Sequence, residues 1–195
     1  MGNSTLPIKH KIETTGDPKA ILQYNASRKE REIIDNEINL LLEMGIIRRA
    51  KPSPFACGIV LVSKPGTTEM RMCIDYRPLN ALTIKDQYDL PRIDLLLAIM
   101  VGLVFFSKVD CRKRYHQVMV FEDHIYKTTF KAHSGTYECP GMPFGQTNSG
   151  KTFQRVVDFL FIKHLNVNIF AYQDNILIAT PTFELHYEVL EHLFS

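Results

Sequence analysis

Two aspartates stand in settings where an unpaired charge is costly. Asp110 follows the apolar run Val104 to Val109, and Asp174 lies between Ile169 to Tyr172 and Ile176 to Ala179. Both flanking runs read as buried strands, so a carboxylate there must be paired, hydrogen-bonded or bound to metal. A pair of oxygen-ligand residues suits a hard divalent cation such as magnesium. The plainer alternative is that each Asp only starts a turn, as Asp often does. On these residues alone both readings stay open.

Other candidate chemistries are weaker. Cys57, Cys73, Cys111 and Cys139 are widely spaced, with no Cys-x-x-Cys pair and no His at ligand spacing, which argues against zinc and for reduced intracellular thiols. The stretch Gly145 to Thr152 satisfies the phosphate-loop pattern G-x-x-x-x-G-K-[ST] letter for letter. Such a loop springs from a buried parallel strand, however, and Pro140, Gly141 and Pro143 precede this one. Two basic clusters, Arg48-Arg49-Lys51 and Arg112-Lys113-Arg114, can meet phosphates or simply face solvent.

The elements that must position these groups are legible in outline. The chain has 195 residues, 45% of them apolar and 23% charged, enough for one domain or two lobes and typical of globular proteins. A net charge of +2 permits a polyanionic partner without arguing for one. No apolar run reaches the roughly 18 residues of a membrane span, and Met1 to His10 lacks a signal-peptide core. A soluble intracellular protein without a membrane partner is therefore expected. Residues 1–26, with Pro7, Gly16 and Pro18, read as an extended arm that does not pack.

Ser27 followed by Glu30 is a capping box, predicting an amphipathic helix over 28–44 that Gly45 stops. Gly58 to Ser63 and Met70 to Tyr76 flank the turn Pro65-Gly66 as a hairpin. Pro91 opens a helix ending near Gly102, and a strand then delivers Asp110. Lys127 to Phe130 and Thr136 to Cys139 flank Ser134-Gly135 as a second hairpin. A helix over 151–165, two strands meeting near Asp174, and a helix capped by Thr182 complete the chain. Helices and short antiparallel strands without βαβ alternation give an α+β fold.

From about His10 to Phe194 the order of short blocks resembles the fingers and palm of reverse transcriptases from gypsy-type long-terminal-repeat retrotransposons. The blocks are Glu43 to Arg48, Ser53 to Ala56, Arg71 to Asn80, Phe106 to Asp110, Tyr115-His116-Gln117, Lys127 to Phe130, Met142 to Gly145, Thr152 to Gln154, and Tyr172-Gln173-Asp174-Asn175. The resemblance implies a right-hand polymerase fold: an antiparallel palm sheet with packed helices plus a fingers lobe over 27–195, with the thumb absent. It implies an RNA-directed DNA polymerase, a nucleotidyltransferase of a transposable element.

Position by position, it makes Asp110 and Asp174 catalytic carboxylates, with Asn175 as the third catalytic position, where the hairpin's second Asp would stand. Asp110, Asp174 and the backbone carbonyl of Cys111 become ligands of two Mg2+ ions, which Mn2+ can replace. Lys64 and Arg71 become the cations that hold the triphosphate, and Tyr115 the aromatic floor beneath the incoming sugar. Phe144 shapes the nucleotide pocket, and Gln154 becomes a template contact. Expected partners are an RNA or DNA template with its primer, deoxynucleoside triphosphates, and further polyprotein domains or a second chain that supplies a thumb.

The pattern also fails at named places. The second hairpin Asp is Asn175, Arg114 replaces a small Gly, and Gln146, Ser149, Gly150 and Lys151 replace Leu, Ala, Pro and Ala. Losing a unit charge about 4 Å from a divalent ion forfeits on the order of 2 to 8 kcal/mol at effective dielectrics of about 80 to 20. Even the low end slows chemistry more than about tenfold. The alternative is therefore a catalytically dead, retroelement-derived module that binds nucleic acid or a partner chain.

Overall fold

The computed structural model describes residues 6–16, 25–63, 66–67, 69–110, 114–172 and 175–194. Lys64, Cys111 and Asp174 lie outside them, as do Arg112, Lys113 and the side chain of Arg114. In chain order come α1 (Arg28–Glu43), β1 (Arg48–Arg49), β2 (Ile59–Ser63), β3 (Met70–Ile74), α2 (Arg77–Leu82) and α3 (Ile93–Ile99). There follow β4 (Phe105–Asp110), α4 (Arg114–Gln117), a 3-10 turn over Glu122–Thr128, β5 (Phe130–Ala132) and β6 (Gly135–Glu138). The last elements are α5 (Ser149–Leu160), β7 (Ile169–Tyr172), β8 (Asn175–Thr180) and α6 (Phe183–Phe194). Every paired strand is antiparallel, so the fold is mixed α+β. The chain divides into two compact units, Met1–Lys85 with Tyr115–Ser149 and Asp86–Arg114 with Gly150–Ser195.

In the first unit the capping box forms as its spacing predicts. The Glu30 N–H donates to Ser27 Oγ, and the Ser27 N–H donates to Glu30 Oε2 at 2.7 Å. Ile34 and Ile38, one helical turn apart, are the buried face of α1. β2 and β3 pair from Ile59 opposite Ile74 to Ser63 opposite Met70. A separate sheet runs β1-β6-β5, and Phe130 stacks on Tyr137 with ring centres 5.7 Å apart. Phe55, Tyr76, Leu79 and Met142 are among its most buried side chains.

Two expectations need correction here. The arm is extended, but its described part is packed: His10 and Ile12 are buried, and bridges join His10 to Val120 and Thr14 to Thr83. Its backbone is satisfied by the body, with His10 N–H donating to Met119 O and Ile84 N–H donating to Glu13 O, each at 2.8 Å. Lys127 and Thr128 do not open the second hairpin. They end the 3-10 turn, where the Lys127 amine turns inward to the Ile12 carbonyl at 2.7 Å, and the strand starts at Phe130.

In the second unit the sheet order is β4-β8-β7, with β8 central. Successive residues of a strand face opposite sides, and both sides of β8 are buried along Ile176, Ile178, Ala179 and Thr180. One side packs through Phe170 and Ala179 against Leu96 and Met100 of α3. The other meets α6, whose His186 lies between Ser107 Oγ (2.8 Å) and Thr180 Oγ1 (3.0 Å) while Phe183 meets the Phe105 ring edge-on. Helices therefore cover both faces, because β8 is apolar in both registers. α3 and α5 are each shorter than expected, ending at Ile99 and Leu160. Thr182 caps α6 as predicted, accepting from the Leu185 N–H at 3.4 Å.

Candidate active site

Asp110 is the last residue of β4 and lies directly opposite Asn175, the first residue of β8. Asn175 in turn faces Tyr172, the last residue of β7. One row across one end of the sheet thus carries Asp110, Asn175 and Tyr172. Only Gln173 and Asp174, outside the described residues, separate β7 from β8 in sequence. Directly opposed side chains in an antiparallel pair share a face, with Cβ atoms about 4.5 to 5.5 Å apart, so one ligand can touch both Asp110 and Asn175. From its apolar run Asp110 is expected to be a charge in a buried setting. In fact Phe106, Lys108 and Asp110 form the exposed side of β4 while Phe105, Ser107 and Val109 are half-buried, so water or a cation reaches the carboxylate.

The residues expected to serve the nucleotide lie in the other unit. Arg71 is exposed on β3, opposite Val62. Tyr115, half-buried at the start of α4, packs edge-to-face on Phe144 with ring centres 4.9 Å apart, and His116 does the same at 5.2 Å. Phe144 is 54% exposed, an aromatic held at the surface. Asn80 holds the turn beside it: its Nδ2 donates to Gly145 O at 2.7 Å and its Oδ1 accepts from the Thr147 N–H at 3.0 Å. Gly145 has φ +85° there, open to glycine at no steric cost. Gly141 is needed for closeness: a Cβ on it would lie 2.4 Å from the His116 carbonyl oxygen. Asn80 is not conspicuous in the sequence; the available signal is an amide between Leu79 and Ala81 in an otherwise apolar helical turn.

Gln154 is placed differently from its expected role. It is fully buried, its Nε2 donates to Asp158 Oδ1 at 2.8 Å, and its Oε1 has no hydrogen-bond partner. Asp158 also accepts from the Tyr88 hydroxyl. Burial, and then this carboxylate, push the Tyr88 phenol up to about 12. Arg155 stacks over the Tyr88 ring at 4.5 Å and forks onto the Asp86 carboxylate, 2.7 Å from Nη2 to Oδ1. That guanidinium holds the Asp86 carboxyl below its usual value. The network straps the Asp86 segment to α5. It joins residues about seventy positions apart, and the only local signal is the Gln154–Asp158 spacing of one helical turn.

The other departures from the family pattern have local partners. Gln146 Oε1 lies 2.9 Å from His10 Nε2, Ser149 Oγ donates to Pro143 O at 3.3 Å, and Lys151 Nζ donates to the Asp86 carbonyl. The phosphate-loop letters therefore lack their geometry: the lysine is turned to a backbone oxygen, and the preceding strand, β6, is antiparallel and ends at Glu138. Cys57 and Cys139 are buried thiols pushed up to about 12 by that burial. Among the described residues no three His, Cys, Asp or Glu side chains are grouped to hold a metal, and no helix is long and apolar enough to cross a membrane.

Residues 62–195 match the family model described as reverse transcriptase (RNA-dependent DNA polymerase). The chain is 32% identical over 195 residues to the retrovirus-related Pol polyprotein of transposon 297 from Drosophila melanogaster, covering 98% of this chain. It is 31% identical over 186 residues to that of transposon gypsy from the same fly, covering 90% of this chain. The chain spans 18% of the length of each polyprotein. Among solved structures, the foamy viral protease-reverse transcriptase in complex with an RNA/DNA hybrid superposes with a TM-score of 0.82 at 25% identity, over 97% of this chain and 25% of that one.

Proposed function

Because this chain belongs to the reverse transcriptase (RNA-dependent DNA polymerase) family, we propose that it is the fingers-and-palm part of an RNA-directed DNA polymerase, slowed in this copy by Asn175. The observation that carries the reading is the direct opposition of Asp110 and Asn175 at one end of the β4-β8-β7 sheet. In this reading the unit with that sheet is the palm and the unit with the β2-β3 hairpin is the fingers.

The donor set fits magnesium. Asp110 offers an exposed carboxylate and Asn175, in the same row, an amide oxygen, both hard donors of the kind Mg2+ and Mn2+ take. Asp110, Asp174 and the Cys111 carbonyl would hold the ions. When bound, the metals supply the positive charge that activates a primer 3′-hydroxyl and stabilises the leaving pyrophosphate. The chain's own residues do the rest. Lys64 and Arg71 bind the triphosphate by charge-assisted hydrogen bonds. Tyr115, braced by Phe144, presents the ring that selects a deoxyribose. Gln154 acts through Asp158 rather than by touching template. Template and primer, RNA or DNA, are the macromolecular partners, and the buried free thiols Cys57 and Cys139 suit an intracellular setting.

A second reading, a binding module without chemistry, is favoured by the neutral Asn175 alone. Primer extension by this chain fused to a thumb from a related enzyme separates the two. Incorporation that needs Mg2+ or Mn2+ and disappears in Asp110→Asn supports the polymerase. Template binding that survives chelation with no incorporation, even after Asn175→Asp, supports the module.

A further inference from the structure

The docked arm is held by a group that can hold it in only one protonation state. Ile12 is buried, and both of its backbone polar groups are met by side chains of the 3-10 turn. Its N–H donates to His124 Nδ1 at 2.9 Å, and its carbonyl accepts from Lys127 Nζ at 2.7 Å. Lys127 also donates to Thr14 Oγ1 at 3.1 Å. A backbone N–H can only donate, so His124 Nδ1 must present a lone pair, which the imidazolium lacks. Protonation would set two donors against each other across 2.9 Å and leave a buried amide without an acceptor.

We propose that His124 is a proton-operated latch for the segment His10 to Thr14, closed when its imidazole is neutral and opened on protonation.

The charges around the ring set the direction. Lys127, on the same turn, and Lys11, on the arm, oppose a positive imidazole, while Glu13 on the arm and Asp123 on the turn favour it. Burial is the largest influence and Lys127 the next, and together they hold the ring below its ordinary value. A lowered His value means the docked state prefers the neutral ring. The contribution to docking is complete above the free imidazole value of about 6.5 and is lost as pH falls through the docked value. The Phe121 ring, 5.3 Å from the imidazole, keeps it oriented toward the arm. The backbone anchors His10 N–H to Met119 O, Phe121 N–H to His10 O and Ile84 N–H to Glu13 O do not titrate, and the His10 imidazole can donate to Gln146 Oε1 in either protonation state, so opening starts at Ile12.

The test is an NMR titration of the full 195-residue chain from pH 8 to pH 5. It follows the His124 ring and the exchange protection of the Ile12 amide, corrected for intrinsic exchange. The latch predicts a ring that titrates below about 6.5. It also predicts Ile12 protection falling by about tenfold per pH unit between the free and docked values. His124→Asn, whose amide oxygen accepts at the Nδ1 position at any pH, should make Ile12 protection independent of pH. Ring titration at or above the ordinary value, or Ile12 protection equal at pH 8 and pH 5 in the parent, would overturn the proposal. So would an undiminished acid loss in His124→Asn. Should that variant not hold the arm at all, the parent titration decides alone.

Discussion

The stretch from Met142 to Lys151 and the hairpin of β7 and β8 both depart from the reverse transcriptase pattern, with unlike consequences. In the first, Gln146, Ser149 and Lys151 have each taken a partner: His10, the Pro143 carbonyl and the Asp86 carbonyl. These polar side chains stand where the resemblance leads one to expect small or apolar ones, and a buried imidazole and two backbone carbonyls meet them. In the hairpin, Asn175 keeps the register, opposite both Asp110 and Tyr172, but brings no charge. The first set of changes has been absorbed by packing. The second leaves the frame whole and alters the electrostatics a cation would meet, which packing cannot replace.

The contrast breaks most readily at the sheet end. Asp110→Asn should cut divalent-ion binding, measured calorimetrically with Mn2+, by at least about tenfold, the low end of the Coulomb estimate, while leaving the thermal midpoint within a few degrees. Equal Mn2+ affinity in parent and variant would remove Asp110 from the metal site.

Next in size is the strap. Arg155→Ala strips the bidentate partner from Asp86 and the stacking from Tyr88, and should destabilise the chain by about 2 to 4 kcal/mol in urea unfolding. The pH dependence has a defined sign. Asp86 is held low in the folded state, so its contribution is present above the unfolded value of about 3.9 and lost as pH falls through the folded one. Asp86→Asn should therefore flatten the acid limb of stability below about pH 4. A limb of unchanged steepness would place the acid sensitivity elsewhere.

Smaller again are the absorbed substitutions. Lys151→Ala should cost about 1 kcal/mol, a single hydrogen bond to a carbonyl, and leave nucleotide binding unchanged; a loss of triphosphate binding would revive the phosphate-loop letters. Gln146→Leu exchanges one buried amide for an apolar chain and relieves its unpartnered Nε2. It also removes the acceptor of the buried His10 Nε2, so the net change should be a loss of about 1 kcal/mol.

Much of this was legible in the residues because it is local. Ser27 and Glu30 announce α1 within four positions, and the apolar run before Asp110 announces β4. The apolar runs on either side of Asp174 announce β7 and β8, though not that β8 is central. What was not legible is what long-range packing decides. The polar arm reads as solvated, yet Ile12 is buried because His124 and Lys127, more than a hundred residues on, satisfy its backbone. Gln154 reads as a contact because its block matches the family, but α5 turns that side chain inward to Asp158. Asp110 reads as buried because its run is apolar, yet strand alternation puts it on the exposed side of an edge strand. In each case sequence supplies the residue type, and the face it presents depends on a partner far along the chain.

In the proposed polymerase, Asp110 and the β7-β8 hairpin form the chemical site, and charge is what this copy lacks there. The most direct test is primer extension by the thumb-fused chain with Asn175→Asp, combined with Arg114→Gly to restore the small residue expected before Tyr115 in the sequence. Single-nucleotide incorporation should rise by at least about tenfold over the parent and vanish when Asp174→Asn is added. Extension that is unchanged by restoring the carboxylate and indifferent to Asp174→Asn would contradict the account.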